Sequence, residues 1–195
     1  MPLDAVVSGR WSISHYLGSA KTPKVLVVGC GSTPQNVTMG SGEKAIQGIS
    51  CSLGRTHSQD FTLDVSTDAN ADLTIDLVTF QGTELGVYGR GRFDQVDFEY
   101  LCGGLRHRFS QQHIRLWIDA ADKLLKPTGT IVFYSGCTEY LHVARGRMIE
   151  LGYKCVDTVI EPDGTPKNMC GHRFCQGVKR NGWMASMFGM GSNNR

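Results

Sequence analysis

Lys24-Val25-Leu26-Val27-Val28-Gly29-Cys30-Gly31-Ser32 is the stretch that decides the fold. Its unbroken apolar run reads as a strand buried on both faces, the habit of parallel sheets. The strand runs straight into a Gly-x-Gly turn. Without side chains at the glycines, backbone there can approach a bound nucleoside closely. Many nucleotide-binding proteins share such a turn, so the later strands and their end residues carry the weight.

Downstream, Phe61-Thr62-Leu63-Asp64-Val65 reads as a second strand, and Ser66 to Asn70 is turn chemistry. Asp72 to Leu77 reads as a short third strand. Residues 81–92 are rich in glycine and read as a loop. Phe93 to Leu101 contains a fourth strand. Ile114, Trp117, Ile118, Ala121, Leu124 and Leu125 recur at helical spacing on one face. Ser110 suits the N-cap of that helix. Lys123 and Lys126 suit its last turn, and Pro127 and Gly129 end it. Thr130 to Tyr134 is a buried strand. A second amphipathic helix spans Thr138–Leu151, with Leu141, Ala144, Met148 and Leu151 inward and Gly152 as its cap. Tyr153–Ile160 and Arg173–Lys179 read as the last two strands, joined through a turn at Glu161–Lys167. The final strand can return antiparallel. Upstream, Trp11, Ile13, Tyr16 and Leu17 form one face of a short helix ended by Gly18. Between strands one and two, glycines at 40, 42, 48 and 54 leave room for one short helix near Glu43–Ile49.

Strands alternating with helices imply an α/β protein with a mostly parallel sheet covered on both faces. Ligands of such sheets sit beyond the carboxyl ends of the strands. That rule selects the loops after residues 29, 64, 76 and 98.

Composition narrows the partners. A net charge of +2 over 195 residues gives no strong electrostatic capture of nucleic acid or of an anionic membrane. Nothing approaches a membrane span, and the first twenty residues lack the apolar core of a signal peptide. The seven cysteines are odd in number and scattered, so they read as reduced thiols and the compartment as cytoplasmic.

Asp64, Asp76 and Asp97 lie at or near the selected strand ends. A carboxylate after the second strand can accept both hydroxyls of a ribose. Another, one strand further on, can accept the exocyclic amine of adenine. With the glycine turn beside them, they make a pocket for an adenosine-containing cofactor.

At these residues the chain resembles the class I S-adenosylmethionine-dependent methyltransferases. Val25 to Ser32 matches their first motif, Leu63-Asp64-Val65 the ribose motif, and Ala71 to Leu77 the adenine motif. Phe93 to Leu101 is similar to the fourth-strand motif, and Ala121 to Phe133 to the family's helix, turn and fifth strand. The resemblance implies a Rossmann-like methyltransferase fold as one domain over 1–195. In it, residues 1–23 are an N-terminal cap, 24–180 the core and 181–195 a tail. It implies S-adenosylmethionine as cofactor, held by Gly29, Cys30, Gly31, Asp64, Val65, Asp76, Leu77 and Phe98. It implies a methyl group moved to O or N of a small-molecule acceptor. Two departures stand out. Val27 occupies a place where the family usually has an acidic residue, and Ser32-Thr33-Pro34 replaces the third glycine.

Methyl transfer needs a base only when the acceptor must lose a proton early. Glu99, Tyr100, His107 and His113 are the candidates, because they follow the fourth strand. His107 also reads as an exposed loop histidine, and His113 as structural. Cys170, His172 and Cys175 give three close metal-capable groups where zinc commonly takes four, so no metal is expected. Cys30 reads as a small residue that fits its turn. Arg90, Arg92, Arg106 and Arg108 read first as a solvated rim, and second as contacts for an anionic substrate or RNA phosphate. The apolar tail, with Trp183, Met184, Met187, Phe188 and Met190, docks on the sheet by default. A homodimer contact or a lid are its other readings. Three alternatives stay open: a methyltransferase-like binding or regulatory protein without catalysis, an RNA methyltransferase, and a nicotinamide enzyme. The last lacks the regular Gly-x-Gly-x-x-Gly.

Overall fold

A computed structural model describes residues 11–30, 37–39, 46–48, 59–69, 71–99, 109–135, 137–156 and 173–179. Chain order is α1 (Ile13–Gly18), β1 (Val25–Val28), β2 (Val37–Met39), β3 (Ile46–Gly48), β4 (Phe61–Asp64) and β5 (Leu73–Thr74). Then come α2 (Glu84–Tyr88), β6 (Phe93–Phe98), α3 (Gln111–Leu124), β7 (Leu125–Ser135), α4 (Thr138–Glu150), β8 (Tyr153–Val156) and β9 (Arg173–Lys179). Seven strands make one sheet in the order β5-β4-β1-β6-β7-β9-β8, and β2 and β3 form a separate pair. From β5 to β7 all neighbours are parallel. β9 runs antiparallel to both β7 and β8. This is the mostly parallel α/β sheet with an antiparallel last strand that the strand pattern implies.

β1 sits centrally between β4 and β6, and all four of its residues are buried. That explains its continuous apolar sequence, since both faces of a central parallel strand meet covering elements. On one face a single core gathers Leu26, Phe61, Leu63, Phe93, Phe98, Ile114, Trp117, Ile118 and Phe133. A smaller cluster of Val25, Val27, Cys30, Ala69 and Ala71 covers alternate residues of β1.

The amino-terminal ends of the strands are closed by polar groups that satisfy one another. Tyr16 Oη donates to Val25 O at 3.0 Å and accepts from Val25 N–H at 2.8 Å, fastening α1 to the start of β1. The ammonium of Lys24, mostly buried, donates to Tyr16 O, Ser19 O and Ser19 Oγ, each at 2.7 Å. Burial holds its pKa below the usual lysine value, helped by Lys21 and Lys126 nearby. Asp94 accepts from Lys24 N–H at 2.8 Å and from Lys126 Nζ at 2.6 Å. Burial works against the Asp94 carboxylate, but these hydrogen bonds outweigh it and leave the pKa below the ordinary value.

On α3, Ser110 caps the helix by accepting from His113 N–H at 3.0 Å, and Lys123 lies in its last turn. α3 is tied to α4 on the outside by Arg115, which grips Glu150 with two hydrogen bonds of 3.0 and 2.6 Å. Arg147 joins in, bonding both Asp119 and Glu150.

Three local expectations are corrected. The short helix near Glu43–Ile49 is replaced over Ile46–Gly48 by β3, which pairs antiparallel with β2. A strand of that kind is fixed by its partner across the hairpin, which local spacing does not report. The loop at 81–92 contains a turn of helix, α2. Its Gly86 is a packing residue: a Cβ there would lie 2.6 Å from both Phe80 O and Gln81 O. The third strand is reduced to Leu73–Thr74, because Asp76 begins a 3-10 turn over Leu77–Gly82.

Candidate functional site

A cavity of about 320 Å³ opens at the carboxyl ends of β1, β4 and β5. Pockets of a few hundred cubic ångströms are the usual size for small ligands and cofactors. Its lining includes Gly29, Asp64, Val65, Asp76 and Leu77. All five are residues that the sequence selects as cofactor-binding. Phe109, His113 and Trp117 complete the wall from the start of α3.

Each side chain is placed by its element. Gly29 follows β1 with φ 77°, a left-handed conformation that costs other residues. Its N–H donates to Leu63 O at 2.8 Å, so the turn is pinned to β4. Asp64 ends β4 and is mostly buried; Oδ1 accepts from Ser66 N–H at 2.9 Å. Val65, the next residue, is 67% exposed, an unusual amount for valine, and stands at the cavity. Leu77 is buried and lines the same cavity.

Asp76 is the most constrained group of the site. As N-cap of the 3-10 turn, its Oδ1 accepts from Val78 N–H at 3.1 Å. The same oxygen accepts from Trp117 Nε1–H at 3.0 Å. The other oxygen, Oδ2, lies 3.0 Å from His113 Nε2. That nitrogen is close but off the direction of a formed hydrogen bond. Trp117 is further braced by ring contacts with His113 at 4.7 Å and Phe109 at 4.8 Å. Phe109 N–H donates to Tyr140 Oη at 2.9 Å, which anchors this aromatic wall to α4.

Among the described residues, the others selected from the sequence are not in the cavity lining. Cys30 is buried beneath the turn, and burial together with the charges of Asp64 and Glu99 pushes its thiol up to about 12. It is therefore a poor nucleophile at neutral pH. Phe98 is fully buried and packs on Phe133 at 5.3 Å and Trp117 at 6.4 Å, one layer behind the cavity wall. Glu99 is also fully buried, and its backbone N–H donates to Val28 O at 2.8 Å. Asp97, in β6, is buried and accepts from Gln95 Nε2 at 2.7 Å. Gly31, Tyr100, His107, Cys170 and His172 lie outside the described residues, while Cys175 is buried in β9. Arg90 and Arg92 precede β6, so they stand at the sheet end opposite the cavity.

Sequence reasoning missed Phe109 and Trp117 as site residues and set His113 aside as structural. Trp117 carried a signal, since a tryptophan on a helix face needs a partner for its N–H.

No family model matches the chain, and no curated protein matches it. Solved structures similar to it include several methyltransferases. A TehB-like SAM-dependent methyltransferase from Corynebacterium glutamicum shares 15% identity, with 83% of each chain covered and a TM-score of 0.47. The N-methyltransferase NodS from Bradyrhizobium japonicum, in complex with S-adenosyl-L-homocysteine, shares 13% identity, with 80% of this chain and 77% of that chain covered and a TM-score of 0.46. A 16S rRNA N2 G1207 methyltransferase from T. thermophilus, in complex with AdoMet and guanosine, shares 15% identity. It covers 90% of this chain and 40% of that chain, with a TM-score of 0.40. In architecture, the strand order and the antiparallel β9 make this chain a Rossmann-like α/β protein of the kind its resemblance to class I methyltransferases implies.

Proposed function

We propose that the chain binds S-adenosylmethionine in this cavity and transfers its methyl group to an oxygen or nitrogen of a small-molecule acceptor. The observation that carries the reading is the convergence of Gly29, Asp64, Val65, Asp76 and Leu77 on one cavity at the strand ends. The donor set fits such a cofactor. Gly29 presents backbone without a Cβ, Asp64 a carboxylate suited to ribose hydroxyls, and Val65 and Leu77 apolar surface for a planar base. Asp76 supplies an acceptor for an exocyclic amine. When bound, the cofactor supplies a methyl group on a positively charged sulfur, already activated for in-line displacement. The protein's own work is then to hold two reactants close and aligned and to exclude water. Of Glu99, Tyr100 and His107, which the sequence nominates to take a proton where the acceptor must lose one, Glu99 is fully buried outside the cavity lining, which leaves Tyr100 and His107 of these three for that role.

Calorimetry with S-adenosylmethionine and S-adenosylhomocysteine tests the reading. Saturable binding of both is expected, and no heat at millimolar ligand rejects it. A second reading keeps the cavity but not the turnover, as a binding or regulatory protein. Val27 favours it, fully buried where the resembling family usually carries an acid. Cofactor turnover with any acceptor in a metabolite screen would exclude that second reading. For an RNA acceptor the position of Arg90 and Arg92, away from the cavity, is adverse.

A further inference from the structure

We infer that Trp117 is a positioning residue that sets the cavity's choice of base, by locking the Asp76 carboxylate so that Oδ2 reads an amine. The inference rests on the cofactor reading above. Asp76 Oδ1 already receives two donors, Val78 N–H at 3.1 Å and Trp117 Nε1–H at 3.0 Å. A carboxylate oxygen accepts about two hydrogen bonds, so Oδ1 is saturated by the protein. The two donors arrive from different elements, the 3-10 turn and α3, and together fix the rotation of the carboxylate plane. Oδ2 is thereby held at the cavity wall. His113 Nε2 lies 3.0 Å from Oδ2, an ion pair when the ring is protonated; one such contact still leaves Oδ2 an acceptor site for a ligand N–H. A purine with a 6-amino group offers such a donor. A 6-oxo purine offers an oxygen there instead, which the carboxylate repels, and moves its donor to the neighbouring N1.

A carboxylate with one oxygen saturated cannot turn from the position-6 amine toward an N1–H. That is how a rotatable side chain becomes selective. An indole with no role in recognition would support α3 packing alone, through its contacts with Phe109 and Phe98.

The test compares affinities for S-adenosylhomocysteine and S-inosylhomocysteine, which differ at position 6 of the base and in the proton that N1 carries. The unmodified protein is expected to favour the adenosyl ligand by about 10- to 100-fold, the usual worth of a hydrogen bond to a charged group. Trp117→Phe keeps a ring and removes the N–H. It is expected to lower that ratio by at least about fivefold. Loss of both affinities in equal proportion is what a merely structural indole gives, and would overturn the inference while leaving the cofactor reading intact. Asp76→Asn provides an independent arm if Trp117→Phe does not fold. Val78 and Trp117 both donate, so they select the amide oxygen at the Oδ1 position and turn the amide nitrogen to the cavity. The preference is then expected to invert toward the inosyl ligand; a retained adenosyl preference overturns the inference. Equal affinity of the unmodified protein for the two ligands also overturns it. No binding of either ligand rejects the cofactor reading and this inference together.

Discussion

Asp72 and Asp76 flank the same short strand, β5, and the protein uses them in opposite ways. Asp72 is almost fully buried, and both of its oxygens are engaged inside the fold. Oδ2 accepts from Thr62 N–H and from Thr62 Oγ1, each at 2.9 Å, and Oδ1 accepts from Trp11 N–H at 3.1 Å. Thr62 Oγ1 in turn accepts from Asp72 N–H at 2.9 Å, closing a reciprocal clamp between β4 and the start of β5. Asp76 engages Oδ1 with two protein donors, keeps Oδ2 beside only the His113 ring at 3.0 Å, and lines a cavity. Residue type and sequence neighbourhood are alike; the number of internal donors separates a structural carboxylate from a recognition one.

The largest expected effect falls on the structural partner. Asp72→Ala strands two backbone N–H groups and the Thr62 hydroxyl in the interior, and should cost about 3 kcal/mol of stability. Asp76→Ala removes a cap and should cost only about 1 kcal/mol, yet it should weaken S-adenosylhomocysteine binding where Asp72→Ala, under conditions that keep it folded, does not. Urea titrations paired with calorimetry measure both. Equal losses of stability would break the contrast.

Gly29→Ala comes next. Holding alanine at a φ of 77° should cost about 1–2 kcal/mol, and the added methyl stands at the cavity, so ligand affinity should fall as well. A variant with unchanged melting and unchanged affinity would mean that the turn relaxes freely.

Smaller effects belong to the opposite end of the sheet. The folded-state pKa of Asp94 is lowered, so its contribution is fully present above the unfolded carboxyl value and is lost as pH falls through the lower folded value. Asp94→Asn should therefore be less stable than the unmodified protein near neutrality, and the gap should close as the solution is acidified into that range. Thermal melts across an acid series read this directly. A gap that widens with acid has the wrong sign for the Lys126 pairing.

The smallest effect concerns Cys30. With its thiol pushed up to about 12, alkylation by iodoacetamide at neutral pH should be far slower than that of a free cysteine peptide. Peptide mapping by mass spectrometry follows it, and rapid labelling would show that the turn opens.

The sheet was legible because its strands announce themselves. β1 is an uninterrupted apolar run, β4 ends at Asp64 where the chain leaves the core, and Asp76 stands two residues past the end of β5. Those same ends locate Gly29, Asp64, Val65, Asp76 and Leu77, so half of the cavity wall follows from the strand-end rule. The other half does not. Trp117 lies at the right spacing for the buried face of α3, and periodicity assigns all such residues to the core alike. Its indole N–H reaches Asp76 across the sheet's covering layer, a contact that depends on how α3 docks and not on spacing. α2 was hidden for a related reason: Gly86 is there for close packing, while glycine in a sequence reads first as a breaker. β3 depends on pairing with β2, which no local pattern encodes.

The position of β9 has a consequence for biosynthesis. Among the described strands, β8 pairs only with β9, and β7 has β9 as its outer neighbour, although β9 is the last of them to be made. While residues 173–179 are still within the ribosome, β7 shows an open edge and β8 has no strand to join. The half of the sheet that holds the cavity needs neither, since β5, β4, β1, β6 and β7 pair among themselves. A nascent chain can thus assemble the cavity's strands first, and carries an unprotected sheet edge until its last strand slides in between two that are already waiting.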